Sequence, residues 1–379
     1  MICKEKHAWL VIGHYGGKNT GDEAMLNGLL WGGKEFFSKI VLVTKDGHVP
    51  IKPPLDVKVS AIRPAIRPLL INLYRARGVI VGGGTHFHDD YRGLRYVRHL
   101  RYMLRFVGVS FLARLLRKKV YWLGIGLGPF YRRLTRWVTK LGAWCCDGIT
   151  VRDKASEQEL LSVIGRSKNY LLAFDLAALL VELNNNLKSI KRQHNLIGIS
   201  ITSIQKALSG GIDAEKKFLE CLRFSVIKLL KDKPLRLRIF IFRGGDRESD
   251  VNLSYEFYQD LLLHGVAVEL LPYDANPLNT LEKVAECEYF IATRYHSALF
   301  GYLAGCKLLF FAYHRKVADL ADEIGLPSHA VINIRDEISE DILYPYLKGL
   351  ISGDRIYEAS LSVNEAVERA KLNFRLLGI

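Results

Sequence analysis

Cysteine is scarce: six in 379 residues, with no CxxC spacing, so no disulfide framework is expected. Cys145 and Cys146 are adjacent in an apolar run and read as core rather than as ligands. A reducing cytosol suits this usage. No stretch of about 18 residues is apolar and free of charge, which excludes a membrane-spanning helix. The first residues, MICKEKHAWLVIG, have neither the apolar core nor the small-residue cleavage site of a signal peptide. No short repeat or low-complexity tract is present. With 49% hydrophobic and 25% charged residues, the composition is globular and excludes a disordered, collagen-like or coiled-coil chain. At about 150 residues per domain, the length suggests two domains or one large one.

One long segment lacks negative charge. Residues 91–140 hold thirteen Lys or Arg and no Asp or Glu. The whole chain carries +15, from 54 basic and 39 acidic residues, so the rest, 41 basic against 39 acidic, is nearly neutral. Large apolar residues are interleaved with these bases, as in a basic amphipathic helix on an anionic membrane surface. The expected location is cytoplasmic, peripheral at the inner face of the cell membrane. No zinc finger, RRM signature or DNA-binding pattern accompanies the patch, so nucleic acid is not expected as a partner.

Short apolar runs bounded by glycine alternate with helical periods. Runs 7–13, 39–44, 78–81, 119–124 and 148–152 read as buried parallel strands. A polar stretch, 182–195, reads as a linker. The pattern then restarts with runs 196–201, 237–242, 267–271, 287–292 and 307–312. The expected fold class is α/β, with two Rossmann-like domains facing a cleft. The N-terminal domain is placed at 1–185, with the basic region inside it, the C-terminal domain at 196–350, and a C-terminal helix at 351–379. Ligands of such sheets sit at the carboxyl ends of strands, so the loops there are where the chemistry is expected.

The first strand runs into Gly13-His14-Tyr15-Gly16-Gly17-Lys18-Asn19-Thr20-Gly21-Asp22-Glu23, which is neither a Walker A sequence nor GxGxxG. Thr20 and Glu23 have capping-box spacing, so a helix should start at Thr20 and offer its N-terminus to an anion. Asp22 does not suit an anion site and is assigned to a sugar hydroxyl or a proton transfer. The next loop, Gly82-Gly83-Gly84-Thr85-His86-Phe87-His88, opens the backbone, and Thr85 could begin a helix. The two histidines with Asp89 and Asp90 are too weak a pattern for a metal, and none is expected. Gly124-Ile125-Gly126-Leu127-Gly128-Pro129 reads as a further glycine loop. Arg152-Asp153 is a structural ion pair or a ligand-positioning pair, and Ser156 with Glu159 forms a second capping box. In the second half, Arg243-Gly244-Gly245-Asp246, Arg294-Tyr295-His296 and Tyr313-His314-Arg315-Lys316 each follow a strand. Arg suits bidentate binding of carboxylate or phosphate. A neighbouring His can move a proton near neutral pH.

These motifs, in this order, resemble the polysaccharide pyruvyl transferase family. That family shows a G-x-x-G-x-x-N-x-G-D-E start, a GGG loop, a GxGxGP-like loop, an RD pair, an R-x-H segment and a Y-x-x-K segment. The chain departs from the pattern at Tyr295, where the family usually has leucine, and at the polar His86-Phe87-His88. The resemblance implies a GT-B-like fold. It implies transfer of pyruvate from phosphoenolpyruvate onto two hydroxyls of a cell-surface glycan, or its lipid-linked precursor, as a cyclic ketal with release of phosphate. The N-terminal domain then takes the acceptor and the C-terminal domain the donor. No cofactor or metal is needed. On this reading Arg243, Arg294 and Lys316 bind the donor's anionic groups. His296 is general acid or phosphate ligand, and Asp22 or Asp246 accepts a hydroxyl proton. Asn19, Gly21, Tyr295, Gly84, Thr85 and Arg152 complete the substrate-binding set. Two alternatives share the basic surface: a GT-B glycosyltransferase using a nucleotide-sugar, and a non-enzymatic scaffold. The second leaves the polar residues after several different strands without a purpose.

Overall fold

The computed structural model describes residues 8–165, 169–184, 186–205, 211–245, 249–334 and 339–378. Two compact units divide the chain. The first comprises the chain up to Gly17, Asp22–Leu183 and the tail from Asn364, and the second comprises Lys18–Gly21 and Asn184–Val363.

In the first unit the described strands are β1 (Trp9–Tyr15), β2 (Lys39–Thr44), β3 (Lys58–Ile62), β4 (Gly78–Val81), β5 (Gly84–Phe87), β6 (Lys119–Leu127), β7 (Gly148–Val151) and β8 (Tyr170–Leu172). They form one parallel sheet in the order β3-β2-β1-β4-β6-β7-β8, with β5 paired to the far end of β6. The central strands are buried along their whole length, as in β4 (GVIV) and β7 (GITV). A parallel sheet covered on both faces selects such continuous apolar runs. Phe87 stacks on Trp122 at 4.3 Å between ring centroids, and Phe106 packs edge-on to Phe87.

In the second unit β9 (Gln193–Ser200), β10 (Arg236–Phe240), β11 (Val268–Leu271), β12 (Cys287–Ala292), β13 (Lys307–Ala312) and β14 (Val331–Asn333) form a parallel sheet ordered β11-β10-β9-β12-β13-β14. This is the Rossmann order, in which the direction of winding reverses between the first and fourth strands. The core here is phenylalanine-rich: Phe240, Phe242, Phe290, Phe300, Phe310 and Phe311 are all fully buried.

Several expectations change. The basic segment 91–140 is not one amphipathic helix but two, Gly93–Leu115 and Arg133–Trp144, separated by β6. The run VYWLGIGL is buried at every position, and only an extended central strand accommodates that run inside the sheet. The GxGxGP segment is therefore strand through Leu127 rather than loop. Thr85 starts no helix, because pairing of Gly84 to Ile125 and Thr85 to Gly126 holds its backbone extended in β5. The tail 351–379 is not a single helix. It contains the helix Val363–Lys371 and a 3-10 segment Leu372–Gly378, and from Asn364 it packs with the first unit. Cys145 and Cys146 are buried, their thiols donating to the Leu141 and Gly142 carbonyls, both at 3.3 Å.

Candidate active site

The described site is at the carboxyl edge of the second sheet. Adjacent strands β9, β12 and β13 end at Ser200, Ala292 and Ala312. Thr293 donates its hydroxyl to the Ser200 carbonyl at 3.0 Å, and Ser200 Oγ donates to Ser297 Oγ at 2.6 Å. Ser297 Oγ in turn accepts from the Arg294 N–H at 3.2 Å and donates to the Arg294 carbonyl at 2.9 Å. These bonds fix the turn from β12 into the helix Tyr295–Leu303, with Arg294 as its N-cap residue.

Onto this edge docks the glycine-rich segment from the start of the chain. Asn19 forms an antiparallel bridge with Arg243. Thr20 N–H donates to the Phe242 carbonyl at 3.0 Å, and Gly244 N–H donates to the Lys18 carbonyl at 3.0 Å. Lys18 adopts φ of 53° to make the turn. Asn19 Oδ1 accepts from Gly21 N–H at 3.2 Å. A helix does start at Thr20, but the expected cap does not form: Thr20 Oγ1 is buried without a hydrogen-bond partner. Gly21 then lies against His296. A Cβ placed on it would be 2.1 Å from the imidazole Nδ1 and 2.2 Å from Cγ. Asn19, Gly21, Arg243 and His296 are thus brought together from three separate segments. Tyr295 stands edge-on to the His296 ring at 5.0 Å.

Arg294 is also part of this edge. Its Nε and Nη2 donate to Asp250 Oδ2 and Oδ1 at 2.7 and 2.6 Å, a bidentate pair with a buried carboxylate. The pair's charges offset each other, so Arg294 shapes the helix entrance more than it adds positive potential. Asp250 has no motif around it and was invisible in the sequence. On the next strand, His314 Nδ1 accepts from Lys316 N–H at 3.2 Å and caps the helix Arg315–Ile324. This bond requires an unprotonated Nδ1 on His314. Lys316 is placed in the first turn of that helix, whose amides face the same edge as a potential anion site. Asp246 is outside the described residues.

The predicted residues of the first unit form a structural network. Arg152, 3% exposed, donates to Asp153 Oδ2 at 3.2 Å, to Asp175 Oδ2 at 3.1 Å and to Thr85 Oγ1 at 3.2 Å. Three of its five N–H donors are engaged by these acceptors, which ties Arg152 and Thr85 into the interior of the first unit. Gly126 is glycine because a Cβ there would come within 2.7 Å of Thr85 Oγ1 and 3.1 Å of Arg152 Nε. Gly84 adopts φ of 124° beside the His86 ring. The second capping box is also replaced. Asp153, leaving the strand extended, accepts from Ser156 N–H at 2.7 Å, and Ser156 Oγ accepts from Leu127 N–H at 3.0 Å.

His86 is buried, with Nε2 on the Gly82 carbonyl and Nδ1 on Tyr102 Oη, both at 3.0 Å. A carbonyl can only accept, so Nε2 carries the proton and Nδ1 accepts from the tyrosine. Burial pushes the pKa of His86 down to about 3. Asp22 is buried in the same unit. There its charge, after the larger effect of burial, helps to raise the phenols of Tyr15 and Tyr102. Among the described residues no group of three His, Cys, Asp or Glu side chains could hold a metal ion.

Two parallel sheets, the second in strict Rossmann order, define an α/β fold of the GT-B type. The chain belongs to the polysaccharide pyruvyl transferase family, whose sequence profile matches residues 19–315, and it is accordingly a transferase. Solved structures share the fold at low identity. UDP-GlcNAc 2-epimerase from Methanocaldococcus jannaschii is 12% identical with a TM-score of 0.60, over 96% of this chain and 97% of that one. The Neisseria meningitidis enzyme, solved bound to UDP-GlcNAc, is 13% identical with a TM-score of 0.60, over 98% and 99%. No curated protein matches the chain.

Proposed function

We propose that the protein transfers pyruvate from phosphoenolpyruvate to two hydroxyls of a saccharide, closing a cyclic ketal and releasing phosphate. One observation carries this reading: the Asn19–Gly21 segment and the Arg294–His296 segment, far apart in sequence, meet with Gly21 packed against the His296 ring. Phosphoenolpyruvate bears a phosphate and a carboxylate a bond or so apart. Arg243, Lys316 and the two helix N-termini supply complementary positive potential. Protonation of the methylene carbon makes C2 cation-like. One sugar hydroxyl attacks C2 and loses its proton. The second hydroxyl then displaces phosphate, and the ketal closes. His296 supplies the first proton or holds the phosphate. Asp22, the residue after Gly21, or Asp246 is the carboxylate assigned to a hydroxyl proton.

Incubation with phosphoenolpyruvate and candidate glycans should give acceptor-dependent phosphate and a pyruvyl mass gain on the sugar. His296→Ala should lower turnover by about 10²–10⁴-fold, the usual worth of general acid–base help, with an unchanged melting temperature. Arg243→Ala should chiefly raise the donor KM. Near-normal phosphate release by both variants would overturn the assignment. The epimerase solved with UDP-GlcNAc motivates a second reading, a nucleotide-sugar donor on the same fold. Thermal stabilisation by a nucleotide-sugar but not by phosphoenolpyruvate would favour it.

A further inference from the structure

The first unit turns an apolar and cationic face outward on three consecutive helices. The helix Gly93–Leu115 packs on Ile66–Arg75 on one side and on Arg133–Trp144 on the other. Its inner positions, Met103, Phe106, Val107, Ser110 and Ala113, are buried. Its outer positions repeat at helical spacing, and they too are apolar: Leu94, Val97, Leu104, Phe111 and Leu115, the last 64% exposed. Water should select polar residues on that side of a surface helix. In Ile66–Arg75, the residues at successive turns Ile66, Leu70 and Tyr74 are exposed, with Arg67 and Arg75 beside them. In Arg133–Trp144 the exposed stripe is Leu134, Trp137 and Trp144, the tryptophans at 58% and 59%, flanked by Arg133, Arg136 and Lys140. One such residue would be unremarkable, but the same pattern on three neighbouring helices is a surface feature that needs a partner.

The charge pattern selects the partner. Between 57 and 146 the only acidic residues are Asp89 and Asp90. Asp89 is buried, accepting from the Tyr131 and Arg132 N–H groups at 2.8 and 2.7 Å. No carboxylate is carried by the three helices themselves. A second copy of the chain would bring arginines against arginines, so self-association is opposed. A nucleic acid would meet the arginines but leave the aliphatic stripe wet. An anionic lipid surface satisfies both: arginines at the headgroups, and Leu, Phe and Trp side chains at the acyl boundary.

We propose that this three-helix face docks the protein on an anionic lipid bilayer. The inference is independent of the reaction, since it can be read without substrate. The full-length protein should co-sediment with vesicles of phosphatidylglycerol and phosphatidylcholine at least about tenfold better than with phosphatidylcholine alone, and added salt should weaken it. Acyl chains brominated near the headgroup should quench tryptophan fluorescence, and the Trp137→Phe/Trp144→Phe variant should lose that quenching. Arg98→Gln/Arg101→Gln/Arg105→Gln, and separately Leu104→Ser/Phe111→Ser/Leu115→Ser, should each lose most of the binding while keeping the wild-type melting temperature. The quenching needs no variant to fold, so the proposal stays testable if the serine variant does not. Failure of the wild-type protein to bind anionic vesicles would overturn the proposal. So would binding that survives the Arg→Gln changes, quenching unaffected in the Trp→Phe variant, or a solution dimer dispersed by the serine variant without vesicle binding.

Discussion

A methyl group on Gly21 would overlap the imidazole of His296, with its carbon 2.1 Å from Nδ1. The clash reaches back to the His296 Cβ at 2.7 Å, so the ring cannot avoid it by rotating its far end alone. Gly21→Ala should therefore displace the side chain assigned to supply the first proton or hold the phosphate. Misplacement by about an ångström can cost on the order of 10²-fold in rate. Steady-state phosphate release should show a fall of that order in kcat if His296 supplies the proton, and a raised donor KM if it holds the phosphate. Thermal unfolding should show a loss no greater than ordinary overpacking, about 1–3 kcal/mol. Unchanged kcat and donor KM would mean that the glycine serves only the fold. The contact itself could not be read from the sequence. What the sequence carried was the polar motif after each strand, which was enough to single out Gly21 and His296 separately. The bidentate Asp250–Arg294 pair shows the converse. Asp250 stands outside every motif, and only the folded chain reveals that it offsets the charge of an arginine expected to bind the donor.

At the scale of elements, long buried strands were legible and short ones were not. Runs such as 39–44, 287–292 and 307–312 fold as strands with the expected bounds, because burial on both faces demands unbroken apolar sequence. Lys58–Ile62, Tyr170–Leu172 and Val331–Asn333 are short or only half-buried, and their sequences carry little of that signal. β5 escaped for another reason: its glycine and histidine suggest a loop, yet pairing to β6 carries them into the interior. The histidine on β5 then has a measurable consequence. His86 is held neutral by burial, with a pKa of about 3 against about 6.5 for a free imidazole. Above pH 6.5 both folded and unfolded chains carry it neutral, and it adds no pH dependence. Below that, the unfolded chain takes up a proton that the folded chain refuses, so stability is lost as the pH falls from about 6.5 towards 3. Between pH 7 and 5 this single site should cost about 2 kcal/mol. Gln at this position could keep a donor towards Gly82 and an acceptor towards Tyr102 without titrating. Urea unfolding followed by the fluorescence of buried Trp122 should show His86→Gln losing less stability than wild type over this interval, by about that amount. Parallel pH profiles would place the acid sensitivity elsewhere.

At the scale of the whole molecule, neither unit is a continuous piece of chain. Residues 18–21 are built into the second unit, and the tail from Asn364 is built into the first. Local periodicity cannot report such an exchange, since it ties residues hundreds of positions apart. Asn373 illustrates the tie. It is fully buried, its Oδ1 accepts from Thr150 Oγ1 at 2.6 Å across 223 positions, and its Nδ2 donates to the Phe174 and Ala370 carbonyls at 2.9 and 2.8 Å. Thr150 Oγ1 also accepts from Gly124 N–H at 2.7 Å, so the tail reaches the middle of β6 through one intermediary. Around it, Phe374 and Leu376 pack so closely on Gly32 and Gly148 that a Cβ on either glycine would fall within 3 Å of them. Removing the tail from Val363 onward strips these partners from the first unit and leaves the sheet of the second with all its described strands. Hydrogen exchange on the truncated chain should therefore show lost protection in Gly148–Val151 and the flanking strands β6 and β8, with β9 to β13 protected as before. Asn373→Ala should reproduce a smaller version at the same strands, since it leaves Thr150 and the Phe174 carbonyl short of a buried partner, a loss worth about 1–3 kcal/mol each. Exchange that rises equally in both sheets would show that the two units unfold as one body and that the tail stabilises the whole chain rather than the unit it packs on.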